Sequence, residues 1–433
     1  MTADGLLQDI AAGERLDLAD TAPEGAGSAW LGALLGEMVA RRLPGRHVRW
    51  TSEGLSFVTA PDSGSRVEAR AEVAASDGLP GDAAARRIAL DCRCTDAGGQ
   101  MLMHGRVVVE AAPAAAAGGG AARPHFLHDL VQRAAAFGPM RIGVVHPVDA
   151  AALQGMADAA AAGLIDPVVY APRHKLEAAA EAAGIDLGGY DRKDVPHSHA
   201  AAEAAVAAVR DGGLAGLMKG SLHTDELMAA VVDRRDGLST DRRISHAFCL
   251  DVPLYPRPLF VADAAINIAP DLMQKRDITR NTIDLAHAVG IAEPKVAILA
   301  AVETVNPRMS ATLDAAALCK MADRGQIAGA LLDGPLAFDN AVSIAAAQTK
   351  HIRSDVAGEA DILIVPDIEA GNMVAKQLEY LAGAEAAGLV LGASVPIVLT
   401  SRADGPAARL ASCALAVMLA HARAEGMLIK PMD

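Results

Sequence analysis

The sequence predicts an α/β protein built on a doubly wound parallel sheet, preceded by a smaller α+β region. Three observations predict it. Short, wholly apolar runs recur after residue 125: Ile142–Val145, Leu214–Met218, Leu259–Ala262, Val296–Val302, Ile327–Leu332, Ile362–Val365 and Val395–Leu399. Longer alanine-rich stretches with helical periodicity separate them, and strands apolar on both faces that alternate with helices belong to a parallel sheet covered on both sides. Ahead of them lies AAPAAAAGGGAAR, Ala111–Arg123, where three glycines among small residues cannot pack a core and read as a flexible linker.

Before that linker the pattern differs. Trp30–Ala40 has apolar residues at helical spacing and is stopped by Pro44-Gly45. Arg66–Val73, Arg87–Cys94 and Met101–Glu110 then alternate apolar with polar residues, with Asp-Gly or Gly-Gly turns between them. A helix followed by a curled antiparallel sheet is an α+β layout. Cys92 and Cys94 share one strand face and read as small core residues.

The chain has 433 residues, enough for about three domains at ~150 residues each. With 52% hydrophobic and 21% charged residues, disorder is excluded as the dominant state. Lys+Arg 39 against Asp+Glu 53 gives a formal charge of −14, which disfavours a nucleic-acid surface. It leaves room for a local cationic pocket that takes a small anion. Five cysteines without paired spacing point to a reducing compartment. The acidic start MTADGLLQDIAAGERLDLAD lacks the layout of a signal peptide, and no run approaches the ~18 apolar residues of a membrane span. A cytoplasmic protein with no membrane partner is expected.

In doubly wound sheets ligands bind beyond the carboxyl ends of strands. The residues just past each apolar run are therefore informative. Lys219-Gly220-Ser221-Leu222-His223-Thr224, Asp263 with Asn267, Pro366 to Asn372 and Thr400-Ser401-Arg402-Ala403-Asp404 all fall there. Helix capping alone explains the Ser, Thr, Asp and Asn residues. It does not require Lys219, Lys376 and Arg402 beside them. Lys219-Gly220-Ser221 with Thr224 supplies small residues, hydroxyls and backbone N–H groups at a helix start, the parts of an anion site. Gly371-Asn372 leading into a helix with Lys376 is a second set. Arg242-Arg243-Ile244-Ser245 places two guanidinium groups beside a hydroxyl, suited to phosphate or carboxylate. A salt bridge to Asp233, Asp236 or Asp241 is the alternative for at least one of that pair.

Other signals are thin. His197-Ser198-His199 has no further partner at metal-ligand spacing and reads as an exposed loop. No H-E-x-x-H, G-x-S-x-G or G-x-G-x-x-G occurs, so metalloprotease, α/β-hydrolase and fingerprint-type nicotinamide chemistry lack support. No metal and no permanently bound cofactor is expected.

From about Phe126 to Gly426 the chain resembles the phosphate acetyltransferase / phosphate butyryltransferase family. The resemblance rests on LMKGSLHTDELMAAVV, RRISHAFCLDVP, ADAAINIAPDL, PKVAILAAVETVNP, ATLDAAALCKMADRGQI, LDGPLAFDNA, ADILIVPDIEAGNMVAKQL and VPIVLTSRAD, all in one order. It implies the reaction acyl-CoA + phosphate ⇌ acyl phosphate + CoA, with coenzyme A as substrate rather than resident cofactor. It implies a two-lobed fold like that of isocitrate and isopropylmalate dehydrogenases, with lobe I from 125–250 and 388–433, lobe II from 251–387, and a homodimer or larger homo-oligomer. By resemblance, Ser221, Thr224 and Ser245 hold phosphate or acyl phosphate, with Asn372 and Lys376 on the opposite lobe. Ser401 would orient the thiol and Arg402 stabilise charge near the CoA sulfur.

Two departures matter. Seven residues after that serine, where the acetyltransferase branch carries an aspartate, this chain has Ala408, so Asp404 is expected to accept the thiol proton instead. Leu227-Met228 stand where that branch has an arginine, and Arg242 or Arg243 is expected to fill the role. The region 1–112, joined by the linker 113–124, resembles a shortened MaoC-type hotdog, as in chains joining an enoyl-CoA hydratase to a phosphate acetyltransferase. Hotdog hydratases need an Asp and a His on one loop, yet TAPEGAGSA between Asp20 and Trp30 holds no histidine, and His47 and His104 lie outside any Asp-x-x-x-x-His context. Hydratase activity is expected to be absent and the region to serve packing or dimerisation. Two rival readings are a metal- and NAD-dependent hydroxyacid dehydrogenase, with Asp263, Asp333 and Asp339 as imagined ligands, and a non-catalytic CoA-binding scaffold.

Overall fold

The computed structural model describes residues 15–22, 30–31, 34–35, 38–39, 46–79, 82–113, 126–399 and 405–428. The chain divides into two units, Met1–Pro124 and His125–Asp433.

In the first unit five strands, β1 Arg15–Thr21, β2 Arg46–Phe57, β3 Arg66–Leu79, β4 Asp82–Asp96 and β5 Met101–Pro113, form an antiparallel sheet in the order β1-β3-β4-β5-β2. Alternation decides its faces. Val67, Ala69, Ala71 and Val73 of β3 point inward with Ile88, Leu90, Cys92 and Cys94 of β4, and pack against the helical residues Leu31, Leu34, Leu35, Met38 and Val39. Outward residues pair across strands, as Arg106 does with Asp91 at 2.7 Å. Cys92 and Cys94 are core residues, and burial pushes their thiols up to about 12 and about 11. Neither is a nucleophile at neutral pH.

The second unit opens with α1 Phe126–Ala135 and then alternates β6 Met140–Val145, α2 Ala150–Ala161, β7 Ile165–Ala171, α3 Arg173–Ala183, β8 Asp191–Asp194, α4 Ser198–Arg210, β9 Gly216–Lys219 and α5 Thr224–Val231. Next come β10 Ser245–Asp251, β11 Leu259–Ala262, α6 Leu272–Ala288, β12 Lys295–Leu299, α7 Ser310–Asp323 and β13 Leu331–Leu336. The chain continues through α8 Phe338–Val342, α9 Ile344–Thr349, β14 Ile362–Ile364, α10 Ile368–Leu381, β15 Glu385–Leu391, β16 Ile397–Val398 and α11 Pro406–Ala424. The sixth helix starts on a capping box, in which Asp271 accepts from Gln274 N at 2.8 Å and Asp271 N donates to Gln274 Oε1 at 3.1 Å.

All its strands join one sheet in the order β13-β12-β14-β11-β10-β15-β16-β9-β6-β7-β8. This corrects the expectation of a parallel sheet: it is mixed. Pairing is parallel within β16-β9-β6-β7-β8 and within β11-β14-β12-β13. At the centre, β10 runs antiparallel to both β11 and β15, and β15 antiparallel to β16. Connection length is the cause. The links 252–258 and 392–396 are too short for the crossover a parallel pair needs, which takes a dozen or more residues.

The reversal has a geometric consequence. Ser245 pairs with Leu391, Ala247 with Ala262, Leu389 with Val398, and Val398 with Met218. The carboxyl ends of the two parallel halves therefore lie on opposite edges of the sheet, not on one shared edge.

Helices cover both faces. On one, α1, α2, α3, α6, α7 and α11 pack in a single core with Ala247, Cys249 and Leu389. On the other there are two separate covers: α4 and α5 over the first half, with Val145 and Val390, and α8 and α10 over the second, with Leu250 and Leu363. Val390 of β15 belongs to the first cover and Leu250 of β10 to the second, so the seam between the covers, a trough in the helix layering, runs over these central strands. Among the described residues no helix is long and apolar enough to cross a membrane.

Leu415 is fully buried in the continuous core, whereas Leu381 is 84% exposed. Leu415→Ala should cost about 3 kcal/mol by denaturant unfolding and Leu381→Ala under about 0.5 kcal/mol.

Candidate functional site

The first half of the sheet carries its own site geometry. Chain order runs β6, β7, β8 outward, and β9 then returns to the other side of β6. That switch opens a crevice between the carboxyl ends of β6 and β9. His146, which follows β6, has φ 56, a left-handed conformation unusual for a histidine. Gly220, which follows β9, touches it so closely that a Cβ would lie 2.5 Å from Val145 O and 2.7 Å from His146 O. Gly220 N donates to Val145 O and Ser221 N to His146 O, both at 2.9 Å. Ser221 Oγ accepts from Val148 N at 3.0 Å, and Lys219 Nζ donates to Gly220 O at 3.2 Å and Leu222 O at 3.1 Å. Thr224 opens α5 beside them, so Ser221 and Thr224 share this crevice.

Arg242, Arg243 and Ser245 stand at the opposite edge. Arg242 forms a largely buried ion pair with Asp284 of α6, not with Asp233, Asp236 or Asp241, and burial raises the Asp284 carboxyl despite that partner. Asp236 pairs with Arg210 instead. Arg243 N donates to Asp277 Oδ2 at 3.0 Å and its Nε to Asn267 Oδ1 at 2.6 Å. Asn267 in turn donates through Nδ2 to Asp263 Oδ2 at 2.5 Å. Ser245 is fully buried on the α6 face, where its Oγ accepts from Asn281 Nδ2 at 2.9 Å. The geometry thus brings Ser221 and Thr224 together but not with Arg242 or Ser245.

On the other face, the trough floor joins the two halves. His246 alternates with Ser245 along β10 and so projects oppositely. It is 1% exposed, lies edge-on to Phe248 with centroids 4.6 Å apart, and has no partner for Nδ1 among the described residues. Its Nε2 lies 2.9 Å from where a Cβ on Gly388 would stand, and Leu399 O lies 3.4 Å from the same point. Burial pushes this imidazole down to about 4, with Asp263 pulling it up and Lys376 pushing it further down. Lys376 projects from α10 to 5.8 Å from the Phe248 ring centroid and 5.4 Å from that of Tyr380, with Nζ 2.7 Å from Glu379. Asn372 Nδ2 donates to Ala264 O at 3.3 Å, and α10 seats on this loop through Gly371, whose Cβ would meet Asp263 O at 2.5 Å.

Ser401, Arg402 and Asp404 lie outside the described residues; the described chain reaches Leu399 beside Gly388 and His246. His197 and His199 are structural: His197 Nδ1 accepts from Ala200 N at 3.2 Å and His199 is 3.4 Å from Glu226. Among the described residues no group of three or more His, Cys, Asp and Glu could hold a metal.

Sequence reading missed His146 and His246. The first comes directly after the Ile142–Val145 run, so the rule applied to the other apolar runs would have found it there. The second gave no signal beyond its place after Ser245.

A family model described as "Phosphate acetyl/butaryl transferase" matches residues 197–417. The chain is 56% identical over 302 residues to the phosphate acetyltransferase of Rhizobium meliloti, covering 70% of this chain and 96% of that one. It is 37% identical over 293 residues to the phosphate butyryltransferase of Clostridium acetobutylicum, covering 68% and 97%. Among solved structures, it is similar to a branched-chain phosphotransacylase from Enterococcus faecalis, with TM-score 0.58 and 26% identity over 65% of this chain and 99% of that one.

Two outcomes are expected from the buried geometry. Gly220→Ala should destabilise the protein by about 2 kcal/mol or more, since its Cβ would run into the Val145–His146 backbone. Because the folded protein holds His246 below the ordinary histidine value of 6.5, the unfolded chain takes up its proton first as pH falls. Stability should therefore decline between about pH 6.5 and about 4, by about 3 kcal/mol from this group alone. Unfolding titrations of His246→Gln across that range should show a shallower slope.

Proposed function

The chain belongs to the phosphate acetyl/butyryl transferase family and is an acyltransferase; from that premise we propose how its own residues interconvert acyl-CoA plus phosphate and acyl phosphate plus CoA. The observation that carries the proposal is the trough. Its walls come from both halves of the sheet: the Ser221–Thr224 turn on one, α10 with Lys376 on the other.

Ser221, Thr224 and the start of α5 hold the phosphate, the helix terminus favouring its charge. Lys376 and Asn372 reach toward it from α10. Arg243, tied to Asn267 at the opposite edge, holds the Asp263–Asn267 loop against which α10 seats and does not reach this phosphate. Arg242 and Ser245 are supports, anchoring β10 to α6 through Asp284 and Asn281.

The chemical step is direct. The CoA sulfur attacks the acyl carbonyl of the acyl phosphate, and a new S–C bond forms as the thiol proton passes to Asp404. Arg402 stabilises the oxyanion that develops, while Ser401 orients the thiol. The C–O bond to phosphate then breaks and phosphate leaves with the electron pair. No acyl-enzyme is needed when both substrates are held together, and CoA is consumed as a substrate.

The first unit is read as a partial MaoC-like hotdog without hydratase activity, supported by its antiparallel sheet around helical residues. The second unit is read as the two-lobed arrangement of isocitrate and isopropylmalate dehydrogenases, with the trough between lobes. A cytoplasmic homodimer or larger homo-oligomer completes the reading.

Purified protein should release free thiol from acetyl-CoA or butyryl-CoA only when phosphate is added, without metal or NAD. Ser401→Ala and Arg402→Ala should each lower kcat by about 100-fold or more. Asp404→Asn should change the pH profile of turnover, and an unaltered profile removes that carboxylate from the mechanism.

A further inference from the structure

The first unit supplies none of the residues assigned above to acyl transfer, yet its outward sheet face carries a charge pattern that folding alone does not call for. Strand register fixes that pattern. One row across β1, β3, β4 and β5 reads Arg15, Glu72, Asp91 and Arg106. The next outward row, two residues along each strand and so about 7 Å away, reads Asp17, Arg70, Arg93 and His104. All eight side chains are exposed.

The centre of each row is the anomaly. Directly opposite residues on neighbouring strands gain from unlike charge and lose from like charge. The row ends obey this: Arg15 lies 3.7 Å from Glu72, Arg106 2.7 Å from Asp91, and Arg70 3.1 Å from Asp17. The middle does not. Glu72 stands directly opposite Asp91, and Arg70 directly opposite Arg93. Asp91 gives both carboxylate oxygens to Arg106, and Arg93 has no carboxylate partner among the described residues. Two like-charge pairs of opposite sign therefore lie side by side, each unfavourable in a lone copy.

A second copy resolves both pairs at once. A two-fold axis lying between the rows and parallel to them turns each row of one copy onto the other row of its partner, strand over strand. Glu72 and Asp91 then face the partner's Arg70 and Arg93, and Arg70 and Arg93 face the partner's Glu72 and Asp91. Arg15 meets the partner's Asp17 in the same way. Self-complementarity of this kind is what a two-fold contact requires. Stacked sheets cross at about 30°, a rotation that displaces the row ends most and the central pairs least. A recess of about 1120 Å³ lies over the face, and between the rows it is lined by Gly105 and by Ala71 and Cys92, whose side chains point inward. Long side chains of a partner fit there. We propose that this face of the first unit is a contact between two copies of the chain, held by Arg70, Glu72, Asp91 and Arg93. The proposal rests on the homo-oligomer reading and names one of its contacts; the acyltransferase chemistry does not enter it.

The experiment measures the mass of the full chain in solution by sedimentation over a range of protein concentrations. It is run at low salt and at about 1 M salt, where the screening length is about 3 Å. Arg93→Asp sets carboxylates against one another at the centre of the contact, and Asp91→Arg sets guanidinium groups against one another. Each alone should weaken association by about 100-fold and lower the mass of the assembly, as high salt should in the unaltered chain. Mixed in equal amounts, the two variants should regain that mass, because each supplies the charge the other lacks. Phosphate-dependent thiol release by either variant should match that of the unaltered chain. The proposal is overturned if the mass ignores salt and both reversals, which leaves the face to solvent or to another kind of partner. It is equally overturned if the mixture fails to regain what the single variants lost, which makes the loss a folding defect. A chain that is a monomer at every concentration overturns it together with the homo-oligomer reading.

Discussion

The architecture depends on two strands that run against their neighbours. If the connections at 252–258 and 392–396 were long enough for helical crossovers, β11 and β16 could pair in parallel and the sheet could continue in one direction. They are too short, so β10 and β15 reverse it. Each half keeps its own carboxyl edge, and the two edges face away from one another. Chemistry drawn from both halves then meets over the face at the reversal, where β10 and β15 carry small or flat side chains: Gly388 beneath His246, with Phe248 beside it. A residue with a Cβ at 388 would displace the imidazole and close the floor.

The same reversal assigns opposite duties to consecutive residues. Ser245 and His246 are adjacent in sequence, yet one faces α6 and the other the trough. The α6 face is polar and buried: Arg242 with Asp284, Ser245 with Asn281, and Arg243 linked through Asn267 to Asp263. Buried charges persist only when paired and hydrogen-bonded, because desolvation outweighs attraction for an imperfect pair. Arg242 is therefore committed to Asp284. Arg243 is bound through a neutral carboxamide, that of Asn267, which in turn holds Asp263.

Much of this was legible in the sequence. The apolar runs from Ile142, Leu214, Leu259, Val296, Ile327 and Ile362 all contain or overlap strands, because a strand covered on both faces must be apolar on both. β10 and β15 were not legible. SHAFCLD reads as polar at its start, and EAAGLVL is dominated by small residues, so neither stands out as a buried run. The reversal, and with it the face on which each residue lies, was hidden for that reason. The turn Lys219-Gly220-Ser221 could be read in advance, since its features are local. The fate of Arg242 and Ser245 could not, because Asp284 and Asn281 are about forty residues away and act only after folding.

An acidic protein that binds anions presents an apparent conflict, and screening resolves it. With a Debye length of about 8–10 Å at ordinary ionic strength, the net charge of −14 spread over the surface contributes little inside a recess. What counts there is the local arrangement. Lys376 stands over Phe248 and Tyr380 and pairs with Glu379 at 2.7 Å, contacts that fix where its ammonium stands. Beneath it His246 stays uncharged, since burial and that same ammonium hold its proton affinity down. A protonated ring at that depth would push Lys376 outward and draw the carboxylate of Asp263 inward. An uncharged one lets the ammonium remain where an incoming phosphate meets it. The field in the trough is thereby set by a lysine whose position depends on a neutral histidine, and that histidine's place depends on a glycine in the strand that turns the sheet around.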